Sequence, residues 1–260
     1  MSDTGQCLIF AHRGANKEAA ENTRSAFDKA LEYAIDGIET DIQLSRDEVT
    51  VLWHDRFLGK VGLPGKYVDD FDHAQLQAMN FAAHFSARAK PEGIMSLQEL
   101  LDAYRKRCRL LLEIKIRESE PASRREIKVR QTLEMARVSN TGAANGDATM
   151  VSSFDLYSLV YAHDYAPEFP LIYNFENDQT IKHVQQVLAA QCFLRGLCLP
   201  IATLDDAMVG LLRDHRKCIA VYTCNSEAEI HKALELGVDI LISDVPQKAL
   251  QMRAMKLRSP

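Results

Sequence analysis

Short apolar runs alternate along this chain with longer amphipathic stretches, and no other feature restricts its fold as much. Eight runs, 7–11, 37–43, 109–115, 148–153, 169–174, 195–201, 218–224 and 238–243, have the length and apolar content of buried strands. Helical periodicity fills 22–35, 96–107, 124–138, 155–166, 179–191, 203–216 and 226–236, with one more stretch at 246–256. A helical crossover between strands implies parallel pairing, because it returns the chain to the same end of the sheet. Eight such units in 260 residues predict an α/β protein of the (β/α)8 TIM-barrel type, with functional groups at the C-terminal ends of the strands. A doubly wound open sheet has the same local pattern and differs only in lacking closure. Ser96, Ser226 and Thr203 stand where helix N-caps are needed, and Gly237 follows the end of 226–236.

Two places break the rhythm. Residues 45–48 are too few for a crossover, yet 49–53 (VTVLW) reads as strand, so the second strand folds back as an antiparallel hairpin. A turn centred between Arg46 and Asp47 sets Glu39 opposite His54. The stretch 55–93 is too long for a plain loop and reads as a small insertion subdomain over the barrel mouth, within one catalytic domain spanning 1–260. Its aromatics, Phe57, Tyr67, Phe71, Phe81 and Phe85, are about what a core of its own needs. Within it KVGLPGKY (60–67) superficially resembles a phosphate loop, but Gly59 is one position off the spacing and Tyr67 replaces the hydroxyl residue after the Lys.

Period-two alternation puts Glu39, Asp41 and Gln43 on the face of the second strand opposite Ile38, Thr40, Ile42 and Leu44. The third strand repeats the device with Leu111, Glu113 and Lys115. Three lumen-facing carboxylates repel and lose hydration unless a cation compensates them. Without nearby thiols they suit Mg²⁺ or Ca²⁺, and the alternative is an internal salt-bridge network with Lys115 and Arg13. The first strand ends in Ala11-His12-Arg13-Gly14, bringing an imidazole and a guanidinium to the same rim. Two histidines, His12 and His54, beside a cation, an Arg and a Lys are equipment for displacement at phosphorus: one accepts a proton, the other donates one, and the cations hold negative charge.

The order His12-Arg13-Gly14, Glu21-Asn22-Thr23, Glu39-x-Asp41, His54-Asp55 and Glu113-x-Lys115 resembles the glycerophosphodiester phosphodiesterase family. Ser153-Phe154-Asp155 and YTCNSEAEIHKALELGVDILISDVP (222–246) are similar to it as well, so the resemblance runs from about 8 to 247. It implies a barrel with the insertion after His-Asp, dependence on a divalent cation, and hydrolysis of glycerophosphodiesters to glycerol 3-phosphate and an alcohol. It further implies Glu39, Asp41 and Glu113 as metal ligands, His12 and His54 as the acid–base pair, and Arg13 and Lys115 as phosphate binders. Ala20 and Tyr222 depart from the family's usual Pro and Trp, and the insertion lacks its Thr-rich run. Tyr222, near the end of the seventh barrel strand, is a candidate substrate contact for a cationic alcohol such as choline. Rival readings are lysophospholipase D-type cleavage, phospholipase C-type cyclisation, a Schiff-base aldolase using Lys115, and a non-catalytic phosphodiester-binding module.

A net charge of -5 offers no footprint for nucleic acid or an anionic bilayer, so the partner is a small water-soluble diester and no stable membrane association is expected. Met1 to Gln6 carries no signal-like run, and the six cysteines include no Cys-x-x-Cys pair, which favours free thiols and a cytoplasmic setting.

Overall fold

A computed structural model describes residues 6–86, 88–137, 149–178 and 180–257. Positions 138, 148 and 179, which the periodicity assigns to helix, strand and helix, lie outside the described residues. The strands are β1 (Leu8–His12), β2 (Gly37–Leu44), β3 (Thr50–Leu52), β4 (Arg109–Ile114), β5 (Thr149–Ser153), β6 (Leu171–Asn174), β7 (Gly196–Pro200), β8 (Cys218–Tyr222) and β9 (Ile240–Ser243). The helices are α1 (Arg24–Leu31), α2 (His73–Gln77), α3 (Leu97–Tyr104), α4 (Ala122–Arg137), α5 (Leu156–Tyr165), α6 (Ile181–Ala190), α7 (Asp206–Asp214), α8 (Glu227–Glu235) and α9 (Pro246–Lys256). All strands but β3 pair in parallel in the order β1-β9-β8-β7-β6-β5-β4-β2, and β1 also pairs with β2. The sheet therefore closes into a (β/α)8 barrel, which excludes the open doubly wound alternative.

Closure produces two apolar layers. Outward-facing residues such as Ile38, Ile42, Leu110, Leu112 and Val151 pack against the helices. Inside, Phe10, Leu111, Ile172, Cys198, Ala220, Ile240 and Ile242 form a floor across the lumen. Each large aliphatic side chain buried this way contributes about 1.5–3 kcal/mol. Gly37 belongs to that floor: a Cβ there would lie 2.5 Å from Phe10 Cζ, so the ring fills space that only glycine leaves open.

Ser96 and Ser226 cap α3 and α8 with complete capping boxes. Thr203 does not cap a helix; it lies in a short 3₁₀ turn, and α7 starts later because Asp205 accepts the Met208 N–H at 2.8 Å. Helix α1 is shorter than its apolar pattern, since Asn22 takes a left-handed backbone (φ +56°) and Thr23 becomes the cap.

The hairpin register is one residue away from the predicted one. Gln43 faces Val51 and Ile42 faces Leu52, so Glu39 is not opposite His54. The turn has three residues: Ser45 N–H donates to Val49 O at 3.0 Å, and Glu48 adopts φ +62°. His54 still reaches the barrel mouth: regular pairing of β3 ends at Leu52, one further bond joins Trp53 N–H to Asp41 O at 3.1 Å, and His54 follows it.

Residues 55–93 hold two 3₁₀ turns (Gly59–Val61 and Val68–Asp70) and α2. Leu58, Val68, Leu76 and Phe81 pack on Val51 and Trp53 of the hairpin, with Phe71 alongside. The five aromatics do not all join this core. Phe57 and Tyr67 form a separate ring pair, and Phe57 and Phe85 are 37% and 38% exposed. Among the described residues, no helix is long and apolar enough to cross a membrane, and all six cysteines are free thiols.

Candidate active site

Strands β2 and β4 raise three carboxylates above the apolar floor. Their register sets Asp41 level with Glu113, and that of β1 with β2 sets His12 level with Glu39. One oxygen from each of Glu39, Asp41 and Glu113 lies within 4.8 Å of the others. Their surroundings differ. Asp41 accepts from Asn22 Nδ2 at 2.9 Å, with Arg13 Nε 3.1 Å from the same oxygen and Lys115 Nζ 3.8 Å from the other. Burial works against its charge, but Arg13 and Lys115 outweigh it and hold the carboxyl well below the usual range. Glu113 accepts from Lys115 Nζ at 2.6 Å and Asn174 Nδ2 at 3.3 Å. Glu39 is 3% exposed and, among the described residues, neither of its oxygens has a hydrogen-bond partner; His12 Nε2 lies 3.8 Å away. Burial, then Asp41 and Glu113, push its pKa well up. An internal salt-bridge network thus accounts for Asp41 and Glu113 but, among the described residues, leaves Glu39 without a hydrogen-bonded counter-charge. An all-oxygen trio with buried, unpartnered oxygens on Glu39 and Asp41 fits a hard divalent cation, Mg²⁺ or Ca²⁺.

Both histidines are oriented through Nδ1. His12 Nδ1 lies 2.6 Å from Asp244 Oδ1, and His54 Nδ1 lies 2.9 Å from Asp55 Oδ1. A carboxylate only accepts, so each Nδ1 carries the proton and each Nε2 is left for the site. Asp244 is itself anchored by Asn16 Nδ2 at 2.6 Å, Asn225 Nδ2 at 2.8 Å and Lys17 Nζ at 3.3 Å. Burial opposes its charge, yet the bond from His12 and its other partners hold its carboxyl well below the usual range. Asp55 is lowered to about 2, chiefly by its bond to His54.

Arg13 takes φ +56° immediately after β1, a sparsely populated backbone for a long side chain. That turn is possible because Gly14 (φ +83°) follows; a Cβ there would sit 2.6 Å from the Ala26 carbonyl carbon of α1. The guanidinium also bonds Glu21 Oε2 at 3.1 Å. Lys115 stays protonated: burial opposes the charge, but Glu113 and Asp41 raise its pKa. Its Nζ lies 5.6 Å from the centroid of the Phe154 ring. A Schiff-base nucleophile needs the neutral amine, so this environment argues against the aldolase reading. Tyr222 donates its hydroxyl to Phe175 O at 2.5 Å and meets Phe154 edge-on at 5.9 Å.

His12, Arg13, Glu39, His54, Glu113, Lys115 and Tyr222 line one cavity of about 140 Å³, and Asp41, 1% exposed, adjoins its Glu39 and Glu113. Every site residue predicted from the sequence is thus brought together. Sequence reasoning missed Asp244 and Asn174. The period-two rule already applied to β2 and β4 reaches Asn174 from Ile172 in β6, and Asp244 from Ile240 and Ile242 in β9.

The chain matches the model of the "Glycerophosphoryl diester phosphodiesterase family" over residues 12–248. A glycerophosphodiester phosphodiesterase of Bacillus altitudinis is 28% identical over 250 residues, covering 94% of this chain and 97% of that protein. Among solved structures, an Oleispira antarctica phosphodiesterase in complex with the product sn-glycerol-3-phosphate superposes with a TM-score of 0.82 at 25% identity, over 96% of this chain and 97% of that one. A solved structure from Silicibacter pomeroyi has the same fold, with a TM-score of 0.84 at 22% identity over 96% and 94% of the two chains. The sequence motifs, the closed barrel and these likenesses agree, and the chain belongs to the glycerophosphoryl diester phosphodiesterase family, enzymes that hydrolyse glycerophosphodiesters.

Proposed function

We propose that this enzyme hydrolyses small, water-soluble glycerophosphodiesters to glycerol 3-phosphate and an alcohol, using one divalent cation and a pair of histidines. The observation that carries the reading is the Glu39 carboxylate, without a hydrogen bond among the described residues, in a cavity it shares with two imidazoles, each tied at Nδ1 to its own carboxylate. Glu39, Asp41 and Glu113 would hold Mg²⁺ or Ca²⁺. When bound, the cation supplies charge stabilisation for the phosphoryl oxygens. Arg13 and Lys115 bind and orient the phosphate, their charge kept by Asp41, Glu21 and Glu113. One imidazole, neutral, takes at Nε2 the proton of the nucleophile attacking phosphorus in line; the other, starting as an imidazolium, gives its Nε2 proton to the departing alcohol oxygen. Asp244 and Asp55 fix the tautomers and stabilise each imidazolium. Tyr222 and Phe154 form an apolar wall beside the phosphate site.

The test is release of glycerol 3-phosphate from a panel of glycerophosphodiesters with and without chelator, alongside a long-chain lysophosphatidylcholine below its micellar concentration. Glycerophosphocholine or glycerophosphoethanolamine should give the higher kcat/KM, with activity lost in chelator and restored by cation. Full activity in excess chelator refutes the cation, preference for the lysolipid refutes the substrate class, and a cyclic phosphate product replaces hydrolysis with cyclisation.

A further inference from the structure

Lys60 opens the glycine-rich stretch 60–67, which the phosphate-loop comparison rejects and the chemistry above does not use. It belongs to the first 3₁₀ turn of the insertion, Gly59–Val61. Its ammonium nevertheless reaches two carboxylates from different parts of the site. Nζ donates to Glu21 Oε1 at 2.7 Å and lies 3.0 Å from Asp55 Oδ2. The other oxygen of Glu21 accepts from Arg13 at 3.1 Å, and the other oxygen of Asp55 lies 2.9 Å from His54 Nδ1. One unbroken series of charged contacts therefore runs from Arg13 through Glu21, Lys60 and Asp55 to His54. The ammonium also lies 5.8 Å from the ring centroid of Trp53, the fully buried residue next to His54. Partial burial opposes its charge, but the bonds to Glu21 and Asp55 outweigh that and raise its pKa.

We infer that Lys60 is a positioning residue of the reaction, holding His54 through Asp55 and Arg13 through Glu21, so that the insertion sets the geometry of both groups. The inference rests on the roles proposed above for His54 and Arg13. An isolated pair at this exposure contributes little to stability. Lys60 differs because each carboxylate it holds has its second oxygen on a working group, so losing the ammonium frees two carboxylates to swing and take those groups with them. Small misplacements of reacting groups have large kinetic effects.

The experiment compares Lys60→Met and Lys60→Arg in the full chain, alone and in an Asp55→Asn, Glu21→Gln background. Lys60→Met should lower kcat through the His54 arm and raise KM through the Arg13 arm, reducing kcat/KM by about 10- to 100-fold. Lys60→Arg, which keeps the charge and can span two carboxylates, should recover to within about fivefold of the wild type. In the background lacking both carboxylates, Lys60→Met should have no further effect. A readout independent of turnover is the downfield proton NMR signal of His54 Nδ1, assigned by its loss in His54→Gln; it should move in Lys60→Met and return in Lys60→Arg. If Lys60→Met does not fold, Lys60→Gln is judged by the same criteria. Wild-type kcat and KM in the Met variant, or an undiminished penalty in the background without the carboxylates, overturns the inference. A wild type without diesterase turnover overturns the functional reading instead, and the imidazole signal then decides Lys60: unmoved in Lys60→Met, it refutes the role.

Discussion

Replacing Glu39 by Gln should make the cation-free protein more stable while abolishing its response to cations. Asp41 has Arg13 and Asn22, and Glu113 has Lys115 and Asn174, but both oxygens of Glu39 are buried without a hydrogen bond among the described residues. A buried charge without its partner costs about 3–5 kcal/mol. Gln keeps the shape and removes the charge, but its amide still lacks partners, a penalty of about 1–3 kcal/mol. The difference favours the variant by up to about 4 kcal/mol, centred on about 2, and at about 2–4 °C per kcal/mol the central value raises its Tm in chelator by about 4–8 °C. The pH dependence has a definite sign. Below the ordinary carboxyl value of 4.5, Glu39 is protonated whether folded or unfolded and nothing is gained by the change; the gap opens as pH rises above 4.5, because the unfolded chain ionises first. Saturating cation should reverse the order, since a ligand at a thousand times its Kd stabilises the wild type by about 4.1 kcal/mol. Thermal unfolding of both proteins, in chelator and in Mg²⁺ or Ca²⁺, measures all of this. A Glu39→Gln protein that melts below the wild type in chelator, or gains as much from cation, would refute the reasoning.

His12→Ala and His54→Ala should each lose about 10²–10⁴ in kcat with unchanged circular dichroism; near-normal turnover of both removes the acid–base assignment. Asp244→Asn should cost about 10²-fold in kcat with little change in KM, because it disturbs the tautomer of His12 and leaves Arg13 and Lys115 alone; a pure KM effect would contradict that. The carboxyl of Asp244 is depressed, so its stabilising contribution is complete above its ordinary value of 3.8 and is lost only as pH falls below it. Gly37→Ala drives a methyl to 2.5 Å from the Phe10 ring and should lower stability by about 1–3 kcal/mol in denaturant titration; no change in midpoint would mean the lumen floor is loosely packed.

Much of this protein was legible in its sequence because strand faces alternate with a period of two, a local rule. That rule put Glu39 with Asp41 and Glu113 with Lys115 on inward faces, and the structure agrees. The motif order carried the family and the barrel. The hairpin register was less legible, since a three-residue turn with Glu48 at φ +62° and a two-residue turn both suit SRDE. One residue of slip moves every side chain to the other face, yet His54 reaches the site because the ladder stops before it.

What the sequence determined by itself is therefore what neighbours along the chain decide: which segments are strands, which face each side chain takes, and which residue types stand at the strand ends. What only the tertiary structure decided is which charges meet. Sheet closure brings Asp244 of the last unit to His12 of the first, 232 residues away, and the insertion's path brings Lys60 to Glu21 and Asp55. Pairing also treats two carboxylates of one strand differently: Glu39 and Asp41 share a face, but among the described residues only Asp41 has Arg13, Asn22 and Lys115 within hydrogen-bond or ion-pair distance. The physical reason is that electrostatic compensation depends on distances of a few ångströms between groups remote in sequence, and burial removes the water that would otherwise make those distances matter little.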